Sequence, residues 1–305
     1  MNRVTCRNRT KLIICCLLIA LSRIHANIYI VDLGQTLMDI DPSAFFSGYT
    51  LKERLNGYCS ALKLFLPFKL CHPRSSGTDF LKTTALHALE QVPCPSSVSY
   101  QIYSDDGVTP LPTLLTESLL GNIDYTQAKK LWYAQPHPDF CNKTFEFVFD
   151  PKRFVAGARL IKPTVHLMQR CAQEKDEHGN KKHIFILLSN FGAEAAREFE
   201  KQFKNSIMSF IDYTIFSGDY HCCKPDTQIY SICYDKIQEY LKNFPEQKTQ
   251  QIFFFDDQDV NCKTMDEYMD QKGLAVICAH PKNMAKVLAE NNALPANVFP
   301  LDFVY

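Results

Sequence analysis

The sequence predicts an α/β protein, a parallel-sheet core with a mainly helical insertion after its first strand. Three observations carry this. From Pro163 to Asn291, short apolar runs alternate with amphipathic stretches, the pattern of βα units joined by right-handed crossovers. A further run of the same kind, Ile28-Tyr-Ile-Val31, stands far upstream and ends on Asp32-Leu-Gly34. The residues between, 43–162, show mixed apolar and polar spacing broken by loops, with few clean strands.

The opening run sets the frame. An apolar strand that ends on a charged residue and a glycine places that residue at the C-terminal edge of a sheet, where open α/β sheets bind ligands. Asp32 is followed by Gly34 and Thr36, and by Asp39-Ile-Asp41. Alone, a carboxylate there is a turn residue, a helix cap or a nucleophile.

Within the insertion, helices are expected at Ser43 to Leu66, Thr78 to Gln91, Pro112 to Leu120 and Tyr125 to Tyr133. A short strand is expected at Tyr100 to Tyr103. His72 to Gly77, Val92 to Ser97 and Pro136-His-Pro138 read as loops. His72, Arg74 and His137 are its basic loop candidates for contact with a substrate. Asn142-Lys-Thr144 has the form of a glycosylation acceptor.

Pro163 opens a helix with the stripe Val165, Met168, Cys171 and Ala172. Ile184 to Leu188 is a buried-type strand ending at Ser189-Asn190, and Ala193 to Phe203 is a helix. Tyr213 to Phe216 is a strand ending at Ser217-Gly218. Pro225 opens a helix with the stripe Ile229, Ile232, Cys233, Ile237, Tyr240 and Leu241. Ile252 to Phe255 is a strand ending at Asp256-Asp257. A helix around Thr264 to Lys272, a strand Leu274 to Ile277 and a helix Lys282 to Asn291 complete the run.

Composition excludes some classes. The 305 residues are 46% apolar and 22% charged with zero formal net charge, and no basic stripe argues for nucleic acid. No internal repeat is evident, which disfavours solenoids and propellers. Arg3, Arg7, Arg9 and Lys11 precede the apolar run Leu12 to Leu21, and Ser22-Arg-Ile-His-Ala26 follows. This is the layout of a secretory signal spanning residues 1–26, with cleavage expected after Ala26 and an exported, periplasmic or secreted product. The run is too short to span a bilayer, which needs about 20 residues, so no stable membrane insertion is expected after cleavage. Of the 13 cysteines, Cys6, Cys15 and Cys16 lie in that leader. The others permit disulfides in an exported chain, with a pairing the sequence leaves open. His221-Cys222-Cys223 is the tightest soft-ligand cluster, but adjacent residues rarely face one metal together.

In a parallel sheet all strand C-termini lie on one side. Asp32 with Thr36, Ser189 with Asn190, Lys224, and Asp256 with Asp257 therefore meet on one rim. Acids from separate strands, a hydroxyl and a lysine suit phosphoryl transfer with a divalent cation, because Mg²⁺ is held by one or two carboxylates plus phosphate oxygens. A carboxylate can attack phosphorus to give an aspartyl phosphate that water hydrolyses. Each member has a plainer reading: Ser189-Asn190 could cap the next helix and Lys224 could be solvated. Asp256-Asp257, two adjacent acids after a buried strand, need a cation or several donors.

Together the motifs Asp32-Leu-Gly-Gln-Thr36, Leu188-Ser-Asn190, Lys224-Pro-Asp226 with Ile229-Tyr230, and Phe254-Phe-Asp-Asp257 resemble those of the haloacid dehalogenase-like (HAD) hydrolases whose helical cap follows the first motif. They are most similar to the Asp-Leu-Gly, sugar-phosphatase-like members. The resemblance implies a Rossmann-like core at 27–42 and 163–305 and a cap at 43–162. It implies Mg²⁺ as cofactor and a small phosphorylated metabolite as substrate. Asp32 would be the nucleophile and a metal ligand, with the backbone carbonyl of Gly34. Ser189 and the backbone at Asn190, and Thr36 beside them, would hold the phosphoryl group, and Lys224 would screen charge. Asp257 would be the acidic metal ligand, with Asp256 supporting it or coordinating the metal through water.

One position departs from the pattern. Most of the family's phosphatases carry a second Asp two residues after the nucleophile as general acid and base, and here Gly34 stands there. A catalytically weak or inactive binding protein on the same fold is therefore a second expectation. Hydrolytic dehalogenation without metal is a third, disfavoured because Asp256-Asp257 would then only add repulsion near Asp32.

Overall fold

The computed structural model describes residues 25–41, 44, 113–134, 136–137, 139–176, 179, 181–243 and 248–295. The helices expected at 43–66 and 78–91, the strand at 100–103, and His72 and Arg74 lie outside them.

Five strands form one parallel sheet: β1 (His25–Val31), β4 (Ile184–Ser189), β5 (Tyr213–Phe216), β6 (Lys248–Phe255) and β7 (Val276–Ala279). The strands β2 (Met38–Ile40) and β3 (Ala158–Leu160) pair antiparallel apart from it. The spatial order of the sheet is β5-β4-β1-β6-β7. Numbered along the chain, that is 3-2-1-4-5, a Rossmann-like doubly wound order whose direction reverses between β1 and β6. Ligands of such sheets bind in the crevice at that reversal, outside the strand C-termini.

β1 is central, and its stretch Ile28-Tyr-Ile-Val31, buried on both faces, reads as an unbroken apolar run. Tyr29 and Val31 point to one core cluster, Ile28 and Ile30 to the other. The Tyr29 ring stacks between Phe185 and Phe253 of the neighbouring strands, with centroids 4.9 and 5.5 Å away. Ala26 is buried and pairs with Thr249, so the expected cleavage point lies inside β1.

Helices cover both faces. The first cluster draws on α5 (Lys162–Ala172), α6 (Ala193–Gln202) and α10 (Met284–Glu290), the second on α8 (Thr227–Asn243) and α9 (Asp259–Gln271). Among the described residues no helix is long and apolar enough to cross a membrane. The described part of the insertion holds α1 (Leu114–Leu119), α2 (Tyr125–Trp132), α3 (Asp139–Phe149) and α4 (Pro151–Ala156), with a small core around Trp132, Phe145 and Phe149.

The structure differs from the sequence expectations in several places. The end of the insertion is not purely helical, because β3 returns to pair with β2 and places Asp39 opposite Arg159. Pro225 does not open the next helix: Pro225 and Asp226 form the preceding turn, and the Asp226 carboxylate accepts the Gln228 N–H at 2.8 Å. A short helix, α7 (Ser217–Tyr220), intervenes before Lys224. The last strand sits two residues later than expected, after a turn in which Gly273 takes a left-handed φ of 74°.

Docking of α1 onto the core depends on a glycine. Gly121 follows α1 at φ 68°, and a Cβ there would lie 2.3 Å from the carbonyl oxygen of Gly218, inside any tolerable contact. Ser217 completes the join, its hydroxyl donating to the Leu119 carbonyl at 2.6 Å and accepting the Phe191 N–H at 2.8 Å.

Candidate active site

Asp32 follows the last residue of β1, and its N–H is fixed by the Phe255 carbonyl at 2.9 Å. The residue is only 6% exposed. Oδ1 accepts a hydrogen bond from Lys224 Nζ at 2.6 Å, and Oδ2 accepts none from the described residues. The same ammonium donates to Asp256 Oδ2 at 2.6 Å. Burial pushes the Asp32 carboxyl up, Lys224 pulls it down, and Asp256 and Asp257 push it up again, leaving it at about 6. Burial alone would lower the Lys224 ammonium, but Asp32 and Asp256 outweigh it and hold it above the usual lysine range. Lys224 is therefore not solvated: it is 4% exposed and bridges two carboxylates.

The adjacent acids have divided tasks. Asp256 is 1% exposed, and its other oxygen accepts the Gln258 N–H and Asn261 Nδ2, both at 2.9 Å. Its oxygens are committed to positioning Lys224 and the turn. Asp257 is half-buried and faces the cavity, its carboxyl raised by burial and by Asp256. Asn261 is a positioning residue that sequence reasoning missed, held through its carbonyl by the Tyr230 hydroxyl at 3.1 Å.

Ser189 ends β4 and lines the cavity beside Asn190. Neither caps the next helix, whose N-cap is Gly192 with no side-chain bond. Asn190 instead exchanges two hydrogen bonds with the backbone of Lys224. Thr36 is not brought to this group: it is fully buried, does not line the cavity, and its hydroxyl has no hydrogen-bond partner among the described residues. His137 lies against Trp132 with ring centroids 3.9 Å apart. Asn142 of the acceptor sequence accepts from Trp132 Nε1 at 2.8 Å, and Thr144 is buried, so neither presents a free polar group. Cys222 and Cys223 are buried thiols, pushed up by burial to about 11 and about 12.

The donor set suits a hard divalent cation. Asp32 and Asp257 line one cavity together with Gly34, and behind it Lys224 pairs with Asp32 and Asp256. Among the described residues no group of three or more His, Cys, Asp or Glu forms a complete cation cage. Mg²⁺ does not need one, because it keeps several waters and takes one or two carboxylates plus phosphate oxygens.

The fold and this rim define the class: a Rossmann-like α/β protein with an acid-and-lysine site at the reversal of strand order and a mainly helical insertion over it. No family model matches the chain, and no curated protein matches it in sequence. Among solved structures it is similar to a HAD family enzyme of Bacteroides thetaiotaomicron in complex with magnesium and inorganic phosphate, at 13% identity and TM-score 0.43, over 84% of this chain and 95% of that one. It is also similar to a predicted HAD-like family hydrolase of Porphyromonas gingivalis, at 13% identity and TM-score 0.43, over 88% and 98%. A HAD family hydrolase of Deinococcus radiodurans R1 with bound phosphate and sodium matches at 12% identity and TM-score 0.41, over 89% and 98%. At these values the likeness adds no weight to the reading of the site, which rests on the chain's own residues.

Proposed function

We propose that the protein is a HAD-type, Mg²⁺-dependent phosphomonoester hydrolase acting on a small phosphorylated metabolite through an aspartyl phosphate on Asp32. The observation that carries this is the Asp32 carboxylate, buried at the strand-order reversal with one oxygen fixed by Lys224 at 2.6 Å and the other accepting no hydrogen bond from the described residues. With its carboxyl at about 6, Asp32 is largely ionised at neutral pH and fit to act as a nucleophile.

In the first step an Asp32 oxygen bonds to phosphorus as the ester P–O bond breaks, and the departing oxygen takes a proton from solvent. Water then attacks the aspartyl phosphate, releasing phosphate and restoring Asp32. Lys224 orients the carboxylate and offsets charge, while Ser189 and the backbone N–H of Asn190 would receive phosphoryl oxygens. Asp32, Asp257 and the Gly34 carbonyl would hold Mg²⁺, which supplies charge neutralisation to the transferring group.

The test is phosphate release from a panel of phosphomonoesters with and without Mg²⁺, for the intact protein and for Asp32→Asn. Metal-dependent release that Asp32→Asn abolishes is expected. Equal release by both proteins, or none by either, would overturn the proposal. The second outcome is what a non-catalytic binding protein gives, the reading that Gly34 favours.

A further inference from the structure

We infer, resting on the phosphatase reading above, that the substrate is an aryl phosphomonoester, a phosphate on a phenolic oxygen whose uncharged aromatic body lies against the wall formed by Phe147 and Phe154. Two independent observations point to it. One is the cavity that leads away from Asp32, and the other is the residue at position 34.

The cavity holds about 460 Å³ and is polar at one end. Asp32, Ser189, Asn190 and Asp257 make that end, and Met38, Leu115, Leu119, Ile123, Phe147 and Phe154 make much of the remainder. The Phe147 and Phe154 rings meet edge-on with centroids 6.4 Å apart, and Phe154 leans on Phe191 at 5.8 Å. Such a wall offers dispersion contacts and ring packing to a flat apolar group. No Lys, Arg or His is among the described lining residues, whereas Asp39, Asp124 and Glu194 are. A second phosphate or a carboxylate on the substrate would meet acidic side chains.

Gly34 supplies the second argument. With no side chain beside Asp32, nothing at that position protonates the departing oxygen. A phenol leaves as phenolate with a conjugate acid near the tyrosine value of about 10, whereas an aliphatic alcohol resembles water at roughly 15.7. Loss of a positioned acid costs on the order of 10²–10⁴-fold, and mostly for the poorer leaving group. The missing acid and the aromatic wall thus select one class of ester. An Asp is sterically possible at 34: a Cβ there would sit 3.7 Å from Asp32 Oδ2, an ordinary contact, and the backbone is outside the left-handed region.

The experiment compares 1-naphthyl phosphate, glycerol 2-phosphate and acetyl phosphate as substrates of the full chain with Mg²⁺. We expect kcat/KM for 1-naphthyl phosphate to exceed that for glycerol 2-phosphate by about 100-fold or more. Gly34→Asp should narrow this ratio by raising turnover of glycerol 2-phosphate. Phe147→Ser and the milder Phe154→Leu should each lower the naphthyl-to-acetyl ratio through KM. The wild-type ratio needs no variant to fold, so it decides by itself. Acetyl phosphate carries an activated leaving group and no aromatic body, which separates the two readings. Its hydrolysis, lost in Asp32→Asn, together with equal rates on naphthyl and glycerol esters overturns the aryl inference and spares the phosphatase. Hydrolysis of neither acetyl nor naphthyl phosphate overturns both.

Discussion

Asn190 holds Lys224 by its backbone: Oδ1 accepts the Lys224 N–H at 2.7 Å, and Nδ2 donates to the Lys224 carbonyl at 2.9 Å. The pair ties the end of β4 to the turn after α7, and so fixes where the Lys224 side chain starts toward Asp32. Asn190→Ala removes both bonds and should cost about 1–3 kcal/mol, because the groups left behind are partly buried. A small displacement of a catalytic group slows chemistry steeply, so kcat should fall by about 10–100-fold. Asn190→Asp keeps the acceptor and loses the donor, and should fall between. Urea denaturation and steady-state kinetics check this. An Asn190→Ala protein with unchanged kcat would mean that Lys224 needs no such tether.

Lys224 also decides whether its acidic neighbours can be buried at all. Removing one partner of a buried ion pair leaves uncompensated charge and costs about 3–5 kcal/mol. Lys224→Met strands both Asp32 and Asp256 and should reach that range in urea denaturation at neutral pH. Adding Asp256→Asn removes one orphaned charge and should return part of the loss. If the double variant is no more stable than Lys224→Met, the two carboxylates are not coupled through the ammonium.

Ser217 joins the insertion to the rim through the Leu119 carbonyl and the Phe191 N–H. Ser217→Ala leaves both groups without this partner, and about 1–3 kcal/mol of stability should go. Leu119 and Phe191 both line the cavity, so KM should rise more than kcat falls. Titration of the variant and wild type with the same phosphomonoester measures the split. A fall in kcat alone would place Ser217 among the groups that serve the chemistry rather than the wall.

Much of this site was legible because polar residues follow buried apolar runs, a contrast that marks the rim of a parallel sheet. Asp32, Ser189, Lys224 and Asp257 stand out for that reason, and the structure brings them to one group. What escaped depends on closeness that spacing does not encode. The Asn190 clasp, the Ser217 join and the β2–β3 pairing link residues 34, 98 and more than 100 positions apart. Thr36 looked like a fourth-position hydroxyl facing the phosphate, but the turn after Gly34 points it into the core. The helices α3 and α4 were missed although Asp150-Pro151 is a start signal, with the Asp150 carboxylate accepting the Lys152 N–H at 3.0 Å. The neighbouring Phe-rich stretch has no clean helical stripe and obscured it.

At the opposite end of β1, His183 sets a dependence of stability on pH. Its Nδ1 accepts the Asn27 N–H at 3.0 Å, so the neutral ring carries its proton on Nε2, which faces Glu174 at 2.8 Å. Burial holds the imidazole below its usual range, and Glu174 only partly offsets this. Burial by itself would raise Glu174, but His183 and Lys182 outweigh it and hold it below the ordinary glutamate range. Both groups release protons more readily in the folded than in the unfolded chain. Their contribution is thus complete above about pH 6.5 and is lost as pH falls through the His183 and then the Glu174 folded values. Urea midpoints should drop from pH 7.5 to 5. His183→Ala should lower the midpoint at pH 7.5, since it leaves the Asn27 N–H buried without its acceptor at about 1–3 kcal/mol. It should also flatten the slope between pH 6.5 and 5. A variant that keeps the full acid slope would move its origin away from this histidine.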